Sequence, residues 1–251
     1  MIDFHSHILP DIDDGAKDLE QALKMLKVSA ENGVKKIVLT PHCYYTSDKD
    51  IKEFIRDRNE KFRILKDAVS RSKDKMPELL LGCELYLNKA HANSEYLKEL
   101  AIEGTNYIML EMPTGIWKPI IYETIYSICL KGFRPIMAHI DRYYADHHDD
   151  FYNLFSLDLT YQVNCDSFLT PYIKKKMPYF FECGAIHILG SDMHNLTSRT
   201  NQMLKCQKII KTKYGEHCYK FIEDNSNLVL DNKDVHIHSF GKMGFWRKIM
   251  L

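Results

Sequence analysis

The sequence predicts an α/β fold in which about seven parallel strands close into a distorted (β/α)7 barrel. Short apolar runs alternate with amphipathic segments along the 251 residues, and such alternation is typical of a parallel sheet covered by helices. Right-handed crossovers place the carboxyl ends of these strands on one side. Six runs end in histidine or a carboxylate residue. Only a closed barrel brings so many strand ends to one mouth, because an open sheet gathers ligands at a single switch point.

The predicted elements follow one another as seven strand–helix units. The strands are expected at residues 2–5, 36–40, 79–87, 107–111, 135–139, 160–164 and 187–190. The helices are expected at residues 19–31, 51–70, 93–100, 119–130, 171–183, 198–214 and 216–224. Asn32-Gly33 ends the first helix, Pro77 breaks the chain before the third strand, Asn93 caps the third helix and Gly132 stops the fourth. An eighth unit is not visible, so we expect a distorted barrel.

The overall composition limits the kinds of protein that this chain can be. No linker rich in Ser, Gly or Pro divides the chain, so residues 1–251 are predicted to form a single domain. Lys plus Arg equals Asp plus Glu at 34 each, which argues against nucleic-acid binding because that needs a basic face. Residues 235–251 form a basic-aromatic tail that could be flexible, pack on the barrel or touch a membrane surface or a partner.

The sequence also predicts a cytoplasmic protein. No stretch approaches the ~18–20 apolar residues of a membrane span. The first residues lack the basic and apolar regions of a signal peptide. Seven cysteines, an odd number without a Cys-x-x-Cys motif, indicate a reducing compartment rather than a disulfide framework.

Paired polar residues at two strand ends predict a metal site. His5 and His7 follow the first apolar run, and Asp192 and His194 follow the last. Side chains at i and i+2 of an extended segment point to the same side, so each pair offers two ligands in one direction. Four further residues close other runs, namely His42, Glu84, Glu111 and His139. Imidazole and carboxylate ligands without thiolate favour Mn, Fe or Zn, so a polynuclear site for such ions is predicted.

The metal prediction rests on the joint pattern, because one histidine at a strand end is more often a core or surface residue. No ligand role is assigned to the other seven histidines, which are His91, His147, His148, His187, His217, His236 and His238. Asp13 and Asp14 follow the first pair, and spacing alone does not decide which of them is a ligand. Asp3 lies one strand step before His5 and could orient that ligand.

Two arginines are candidate phosphate-binding residues. Arg142 follows His139 by three residues and Arg199 follows His194 by five, so both would lie in loops at the barrel mouth. A guanidinium matches phosphate oxygens as a bidentate fork, although a surface salt bridge is the alternative. The chain has no Cys-x5-Arg loop, no Gly-x-Ser-x-Gly elbow and no Gly-rich phosphate loop. A water activated by metal ions is therefore the expected nucleophile.

The motifs, taken in order, resemble a known superfamily. They are Asp-Phe-His-Ser-His at residues 3–7, Thr-Pro-His at 40–42, Gly-Cys-Glu at 82–84, Leu-Glu at 110–111, Ala-His-Ile-Asp-Arg at 138–142 and Gly-Ser-Asp-Met-His-Asn at 190–195. This set resembles the PHP (polymerase and histidinol phosphatase) superfamily. With Asp-Ile-Asp-Asp-Gly at 11–15, the chain resembles the bacterial manganese-dependent protein-tyrosine phosphatases encoded with capsular and exopolysaccharide genes. The resemblance covers residue 2 to about residue 230 and implies a PHP-type, TIM-like barrel.

The resemblance implies three Mn²⁺ ions at the carboxyl ends of the strands. Carried over by position, the ligands are His5, His7, Glu84 and Asp192 for the first ion, Glu84, Glu111 and His139 for the second, and Asp14, His42 and His194 for the third. Many members of the superfamily have histidines where Glu111 and Asp14 stand, and carboxylates there match the tyrosine-phosphatase branch. The resemblance also implies that Arg142 and Arg199 bind the substrate phosphate.

The expected function is hydrolysis of phosphotyrosine by a metal-dependent phosphomonoesterase. By resemblance, the substrate is a bacterial tyrosine kinase that controls capsule or exopolysaccharide synthesis. The enzymatic alternative is a small-molecule phosphatase, such as one acting on histidinol phosphate. The non-enzymatic alternative is a metal-stabilised module that binds phosphotyrosine without cleaving it.

Overall fold

Nine short parallel strands surround the core in the computed structural model, which describes residues 1–143, 150–155, 157 and 159–240. The strands are β1 (Ile2–Asp3), β2 (Lys36–Leu39), β3 (His42–Cys43), β4 (Glu78–Leu81), β5 (Glu84–Tyr86), β6 (Tyr107–Glu111), β7 (Arg134–Met137), β8 (Thr160–Asn164) and β9 (Ile188–Gly190). Thr40-Pro41 separates β2 from β3, and Gly82-Cys83 separates β4 from β5. The nine strands are therefore seven chain segments, two of which are interrupted.

The strands form one continuous ring. One sheet has the order β1-β2-β4, and the second has the order β3-β5-β6-β7-β8-β9, with all pairs parallel. Backbone hydrogen bonds close the ring between the ends of β9 and β1: the N–H of Phe4 donates to Leu189 at 3.1 Å and the N–H of Asp192 donates to His5 at 2.8 Å. The predicted distorted (β/α)7 barrel is confirmed, and all its strand carboxyl ends face one mouth.

Within the described residues, eight α-helices lie between and after the strands. They are α1 (Leu19–Glu31), α2 (Asp48–Arg71), α3 (Leu97–Leu100), α4 (Pro119–Leu130), α5 (Asp150–Phe155), α6 (Met177–Glu182), α7 (Met203–Ile209), which a π-helical turn (Ile210–Tyr214) continues, and α8 (Glu216–Leu230). Short 3₁₀ turns occur at Lys89–Asn93, Ile140–Tyr143, Cys165–Phe168 and Ile173–Lys175. Among the described residues, no helix is both long enough and apolar enough to cross a membrane.

Local signals explain why α1 has the predicted bounds. The Asp18 side chain accepts the N–H of Gln21 at 2.8 Å, and Asn32 caps the carboxyl end. Gly33 follows with φ of +80°, a conformation that glycine adopts without a Cβ clash. One face of α1 is buried against the sheet, as its amphipathic pattern requires.

Several predicted elements differ in the structure, and α8 runs six residues past its predicted end at residue 224. The helix expected at 171–183 begins only at Met177, because Pro178 lacks an N–H and fits only the first turn of a helix. The helix expected at 198–214 begins at Met203. Before it, the Asn195 side chain accepts the N–H groups of residues 197–199, which offers the backbone an alternative to a helix. Asn93 caps no helix; it ends a 3₁₀ turn that Asn88 caps.

The core has two parts. Residues pointing into the barrel, including Phe4, Val38, Met109 and Ile188, form the smaller cluster, and a larger cluster fills the space between the strands and the helices. Val235 packs against the smaller cluster and Phe240 against Phe181, so the first part of the predicted tail lies on the barrel. Residues 241–251, as well as His147 and His148, lie outside the described residues.

His187 carries a pH dependence of folding. It is buried, its ring stacks on Tyr161, and its Nδ1 accepts the N–H of Tyr161 at 2.9 Å. Burial lowers its pKa from 6.5 to about 4. The native state therefore binds fewer protons than the unfolded state between these values, so stability present above pH 6.5 is lost as the pH falls toward 4. The loss approaches about 3 kcal/mol.

A His187→Gln variant tests this assignment. Its amide oxygen can still accept the Tyr161 N–H but does not titrate, so the stability difference between wild type and variant should shrink as the pH falls from 7 to 4.5. Urea unfolding of both proteins in excess chelator, at several pH values, measures this difference in the free energy of unfolding. Parallel pH profiles of the two unfolding free energies would contradict the prediction.

Candidate metal centre

The nine predicted ligands all lie at the barrel mouth. His5 and His7 follow β1, and Asp192 and His194 follow β9. The remaining ligands come from the loop after β1 and from the ends of the strands between: Asp14, His42, Glu84, Glu111 and His139. Residues distant in the sequence meet here because every parallel strand ends on the same side of the ring.

Glu84 is at the centre of the group and is almost fully buried. Its Oε2 lies 3.1 Å from His5 Nε2 and 3.0 Å from His42 Nδ1, and its Oε1 lies 2.7 Å from His139 Nε2. The β3–β5 pairing sets His42 opposite Glu84, which explains this approach. One carboxylate thus faces imidazoles from three strands with both oxygens, as a bridging ligand does.

Three overlapping clusters have ligand atoms within 4.8 Å of one another. They are His5, His7 and Glu84; His42, Glu84 and Glu111; and His7, Asp14, His42 and His194. The first and third resemble the ligand sets implied by the sequence. In the second, His42 rather than His139 stands with Glu84 and Glu111. Asp192 Oδ1 lies near the first cluster, 3.7 Å from His5 Nε2 and 3.5 Å from His7 Nε2.

The structure separates the roles of Asp13 and Asp14. Asp13 Oδ2 lies 2.7 Å from His7 Nδ1 and accepts the backbone N–H of His42 at 3.1 Å. Asp13 therefore holds these two candidate ligand residues in place. Asp14 Oδ1 lies 3.3 Å from His194 Nε2 and 3.6 Å from His42 Nε2. The turn that carries Asp13 and Asp14 requires Gly15, because a Cβ there would lie 1.9 Å from the His7 carbonyl oxygen.

The protonation of the buried groups reflects their crowding. Burial alone would lower the pKa of His7, but hydrogen bonds to Asp13 and Glu84 raise it to about 10. Burial alone would raise the pKa of Glu84, but the charge of His5 and the hydrogen bond to His139 hold it well below its usual range. The site thus holds bound protons where a cation can replace them, and metal binding would release them.

Several buried atoms of the candidate ligands are better placed to bind a cation than to form hydrogen bonds with one another. Within the part of the chain that the structure describes, His42 Nδ1, Glu111 Oε2 and His194 Nε2 are buried and form no hydrogen bond, although carboxylate oxygens lie 3.0 Å from His42 Nδ1 and 3.3 Å from His194 Nε2. A buried polar atom without a partner is costly. All three belong to the clusters above, and imidazole nitrogen with carboxylate oxygen is a donor set for transition ions. The residues present therefore fit the divalent ions that the sequence predicts.

The two predicted phosphate-binding arginines converge on Asp192. Arg142 pairs with its Oδ2, and Arg199 Nη2 lies 2.8 Å from its Oδ1. The guanidinium-bearing side chains are 46% and 40% exposed, so they reach solvent while touching the centre. Together with Asn164 and Ser191 they line an open cavity of about 430 Å³. This cavity is large enough for a phosphorylated side chain, and the candidate ligand Asp192 forms part of its wall.

An aromatic side chain borders the other side of the centre. The Tyr44 ring stacks on His42 with centroids 4.9 Å apart and planes at 25°, and it lies 5.6 Å from the Tyr86 ring. Tyr44 remains 54% exposed. An exposed ring held against a candidate ligand offers a face on which another aromatic ring can stack.

The geometry and the sequence lead to one family. The chain matches, over residues 1–231, the family described as capsular polysaccharide synthesis, CpsB/CapC. This chain belongs to the CpsB/CapC family. Relatives in that family include the tyrosine-protein phosphatase CpsB of Streptococcus agalactiae serotype V, which is 29% identical over 246 residues (92% of this chain, 99% of the relative). The tyrosine-protein phosphatase YwqE of Bacillus subtilis is 25% identical over 246 residues (94% and 93%).

Solved structures carry the same fold. One solved structure comes from a study of YwqE of Bacillus subtilis and CpsB of Streptococcus pneumoniae, which are described as metal-dependent tyrosine phosphatases. It aligns with a TM-score of 0.78 at 24% identity, and the alignment covers 96% of this chain and 99% of that chain. The phosphotriesterase homology protein of Escherichia coli, solved with phosphate in its active site, aligns with a TM-score of 0.52 at 10% identity (91% and 98%). The CpsB/CapC chain described here therefore has a TIM-like barrel fold.

Two buried side chains of this CpsB/CapC centre were not predicted from the sequence. Gln162 contacts His5 and the backbone of His139, and Asp141 accepts the backbone N–H of Asn164 at 3.0 Å while pairing with Ser167. The signal for Gln162 was present, because Gln162 and Asn164 are polar residues at i and i+2 of an otherwise apolar strand. Asp141 has no comparable signal beyond its place beside Arg142.

Proposed function

We propose that this chain is a metal-dependent protein-tyrosine phosphatase. The observation that carries the proposal is a set of three overlapping ligand clusters beside Asp192, a carboxylate that pairs with two arginines and lines an open cavity. The family and the names of the relatives, which are tyrosine-protein phosphatases, support the same reaction.

The ligands proposed for the ions are the nine residues predicted from the sequence: His5, His7, Asp14, His42, Glu84, Glu111, His139, Asp192 and His194. Three Mn²⁺ ions are proposed, with Fe or Zn as the alternative ions, because the donor set does not choose among them. The number of clusters supports three sites, and Glu84, His7 and His42, which each belong to two clusters, would be shared between sites.

The proposed chemistry is hydrolysis of a phosphate monoester. When bound, the divalent ions would lower the pKa of a water so that hydroxide is available to attack phosphorus at neutral pH, and they would neutralise charge on the phosphoryl oxygens. Arg142 and Arg199 bind the remaining phosphate oxygens as rigid, permanently charged forks. Both arginines would turn from Asp192 to the substrate in this step. A phenol, with a pKa near ~10, leaves more easily than an alkyl alcohol, so the reaction makes little demand on a general acid.

The mouth offers an aromatic contact and an open approach to a phosphotyrosine side chain. The exposed Tyr44 ring, stacked on His42, can receive the phenyl ring of phosphotyrosine. Phosphotyrosine in a protein also requires an open site, and the cavity beside Arg142 and Arg199 opens to solvent. The open approach favours a protein substrate over the small-molecule alternative.

The proposed partner is a bacterial tyrosine kinase that regulates capsule or exopolysaccharide synthesis. The family description, capsular polysaccharide synthesis, supports that context. The proposed location is the cytoplasm, where such a kinase would present phosphotyrosine. All seven cysteines are free thiols, which is consistent with a reducing compartment.

A phosphate-release assay tests the proposal. Metal-free protein supplied with Mn²⁺ should release phosphate from a phosphotyrosine peptide much faster than from histidinol phosphate, should lose this activity in excess chelator and should regain it when Mn²⁺ is returned. Faster turnover of histidinol phosphate would favour the small-molecule phosphatase. Binding of the peptide without release, under every metal tested, would favour the non-catalytic module.

A further inference from the structure

Gln162 is a fully buried residue in the middle of β8. Its Oε1 lies 3.0 Å from His5 Nδ1 and accepts the backbone N–H of His139 at 2.7 Å. Its Nε2 donates to Asn164 Oδ1 at 2.9 Å. One uncharged side chain therefore contacts two candidate ligands from different strands, and the chemistry proposed above does not use it.

The neighbours of Gln162 determine how its amide is oriented. A backbone N–H can only donate, so the group facing His139 must be the amide oxygen. The same oxygen faces His5 Nδ1, and this nitrogen must therefore carry the proton. The lone pair of the neutral His5 ring is then on Nε2, which lies 3.1 Å from Glu84 and 3.0 Å from His7 Nε2. Gln162 thus selects the tautomer that a metal ion needs at this position.

The amide contacts continue to a third ligand. Asn164 accepts from Gln162 and donates its Nδ2 hydrogen to Asp192 Oδ2 at 2.9 Å. Gln162 and Asn164 are two residues apart on one strand, so both side chains point into the barrel. Three candidate ligands, which follow β1, β7 and β9, are linked through one strand by hydrogen bonds of fixed direction.

Two backbone features depend on this arrangement. His139 has φ of +32°, in the region that non-glycine residues rarely adopt, and its N–H is the one that Gln162 accepts. Gly190 on β9 provides the space: a Cβ there would lie 2.4 Å from His5 Cβ and 2.7 Å from Gln162 Nε2. The fold both makes room for the Gln162 amide and uses it to hold an unusual conformation of His139.

We propose that Gln162 is a positioning residue of the metal centre, which holds His5 in its Nδ1–H tautomer and His139 in its left-handed conformation. This role rests on the proposed metal centre and acts before any substrate binds. The ion then meets preset ligands and does not have to reorder them, so loss of the amide should weaken metal binding.

Binding of Mn²⁺ to the metal-free full-length protein tests the role, with free Mn²⁺ counted by its electron paramagnetic resonance signal. Gln162→Met keeps the approximate size of the side chain but removes both hydrogen-bonding groups, and should weaken Mn²⁺ binding about 10- to 100-fold. Gln162→Glu still accepts from His5 and His139 and should restore most of the affinity, even if the Met variant folds poorly.

A matched control and a second readout separate positioning from packing. Asn225, which lies on α8 away from the centre, is another fully buried amide. Its side chain forms hydrogen bonds with the backbone of His236. Asn225→Leu should reduce stability without changing the affinity for Mn²⁺. In Zn²⁺-loaded protein labelled with ¹⁵N, the slowly exchanging Nδ1 proton of His5 should be present in wild type and lost in Gln162→Met.

The outcomes distinguish this role from the proposed function. Wild-type affinity for Mn²⁺ and an unchanged His5 proton in Gln162→Met would overturn the positioning role alone. A wild-type protein that takes up no Mn²⁺, Fe²⁺ or Zn²⁺ would overturn the metal centre and the positioning role together. Neither readout depends on turnover of a phosphate ester.

Discussion

Glu84→Gln is expected to remove bound metal and to reduce phosphotyrosine hydrolysis at least about 10³-fold. The substitution keeps the volume of a side chain that is 1% exposed but replaces one carboxylate oxygen by an NH2 group that cannot be a ligand. Both oxygens of Glu84 are used, since they lie 2.7–3.1 Å from nitrogens of three histidines. Divalent ions lower such a barrier by several kcal/mol, and each tenfold in rate corresponds to about 1.4 kcal/mol.

Metal analysis and steady-state turnover check this expectation together. Glu78→Gln is the matched control, because Glu78 begins the same strand segment at the opposite end of the barrel and forms an exposed ion pair with Lys36. That variant should keep its metal and its activity. A Glu84→Gln protein with a full complement of metal and near-normal turnover would show that Glu84 is not a bridging ligand.

Arg142→Ala should reduce kcat/KM for a phosphotyrosine peptide about 10²- to 10³-fold and leave the metal content unchanged. The guanidinium is aimed at the centre and reaches solvent, where it can stabilise charge on the phosphoryl oxygens, and one preorganised donor of this kind is worth about that much. Asp192 keeps its contacts with Arg199 and Asn164, at 2.8 and 2.9 Å, so its position does not depend on Arg142 alone.

Lysine and a surface arginine provide the controls for this experiment. Arg142→Lys should recover only part of the activity, because a point charge replaces a planar fork. Arg63→Ala removes an exposed guanidinium that pairs with Glu60 on α2 and should have no effect. Loss of metal in Arg142→Ala would show that the arginine acts through Asp192 and is a structural residue.

Elements with strong local signals were predicted to the residue. Helices α1 and α4 and strands β6 and β8 have the predicted bounds, since caps, a first-turn proline or a short run rich in apolar, aromatic or β-branched residues specify where each begins and ends. The predicted starts at residues 171 and 198 were too early for two helices. Hydrophobic periodicity does not show where a proline must occupy the first turn or where an asparagine side chain binds the preceding loop.

The sequence by itself determined that polar candidate ligands would end parallel strands and meet at one mouth, because the direction of a parallel strand and the two-residue period of its side chains are local properties. Only the tertiary structure decided that Asp14 rather than Asp13 faces His42 and His194, and that His42 stands with Glu84 and Glu111. It also decided that Gln162 orients His5. These relations depend on the register and curvature of neighbouring strands, which set distances between residues far apart in the chain.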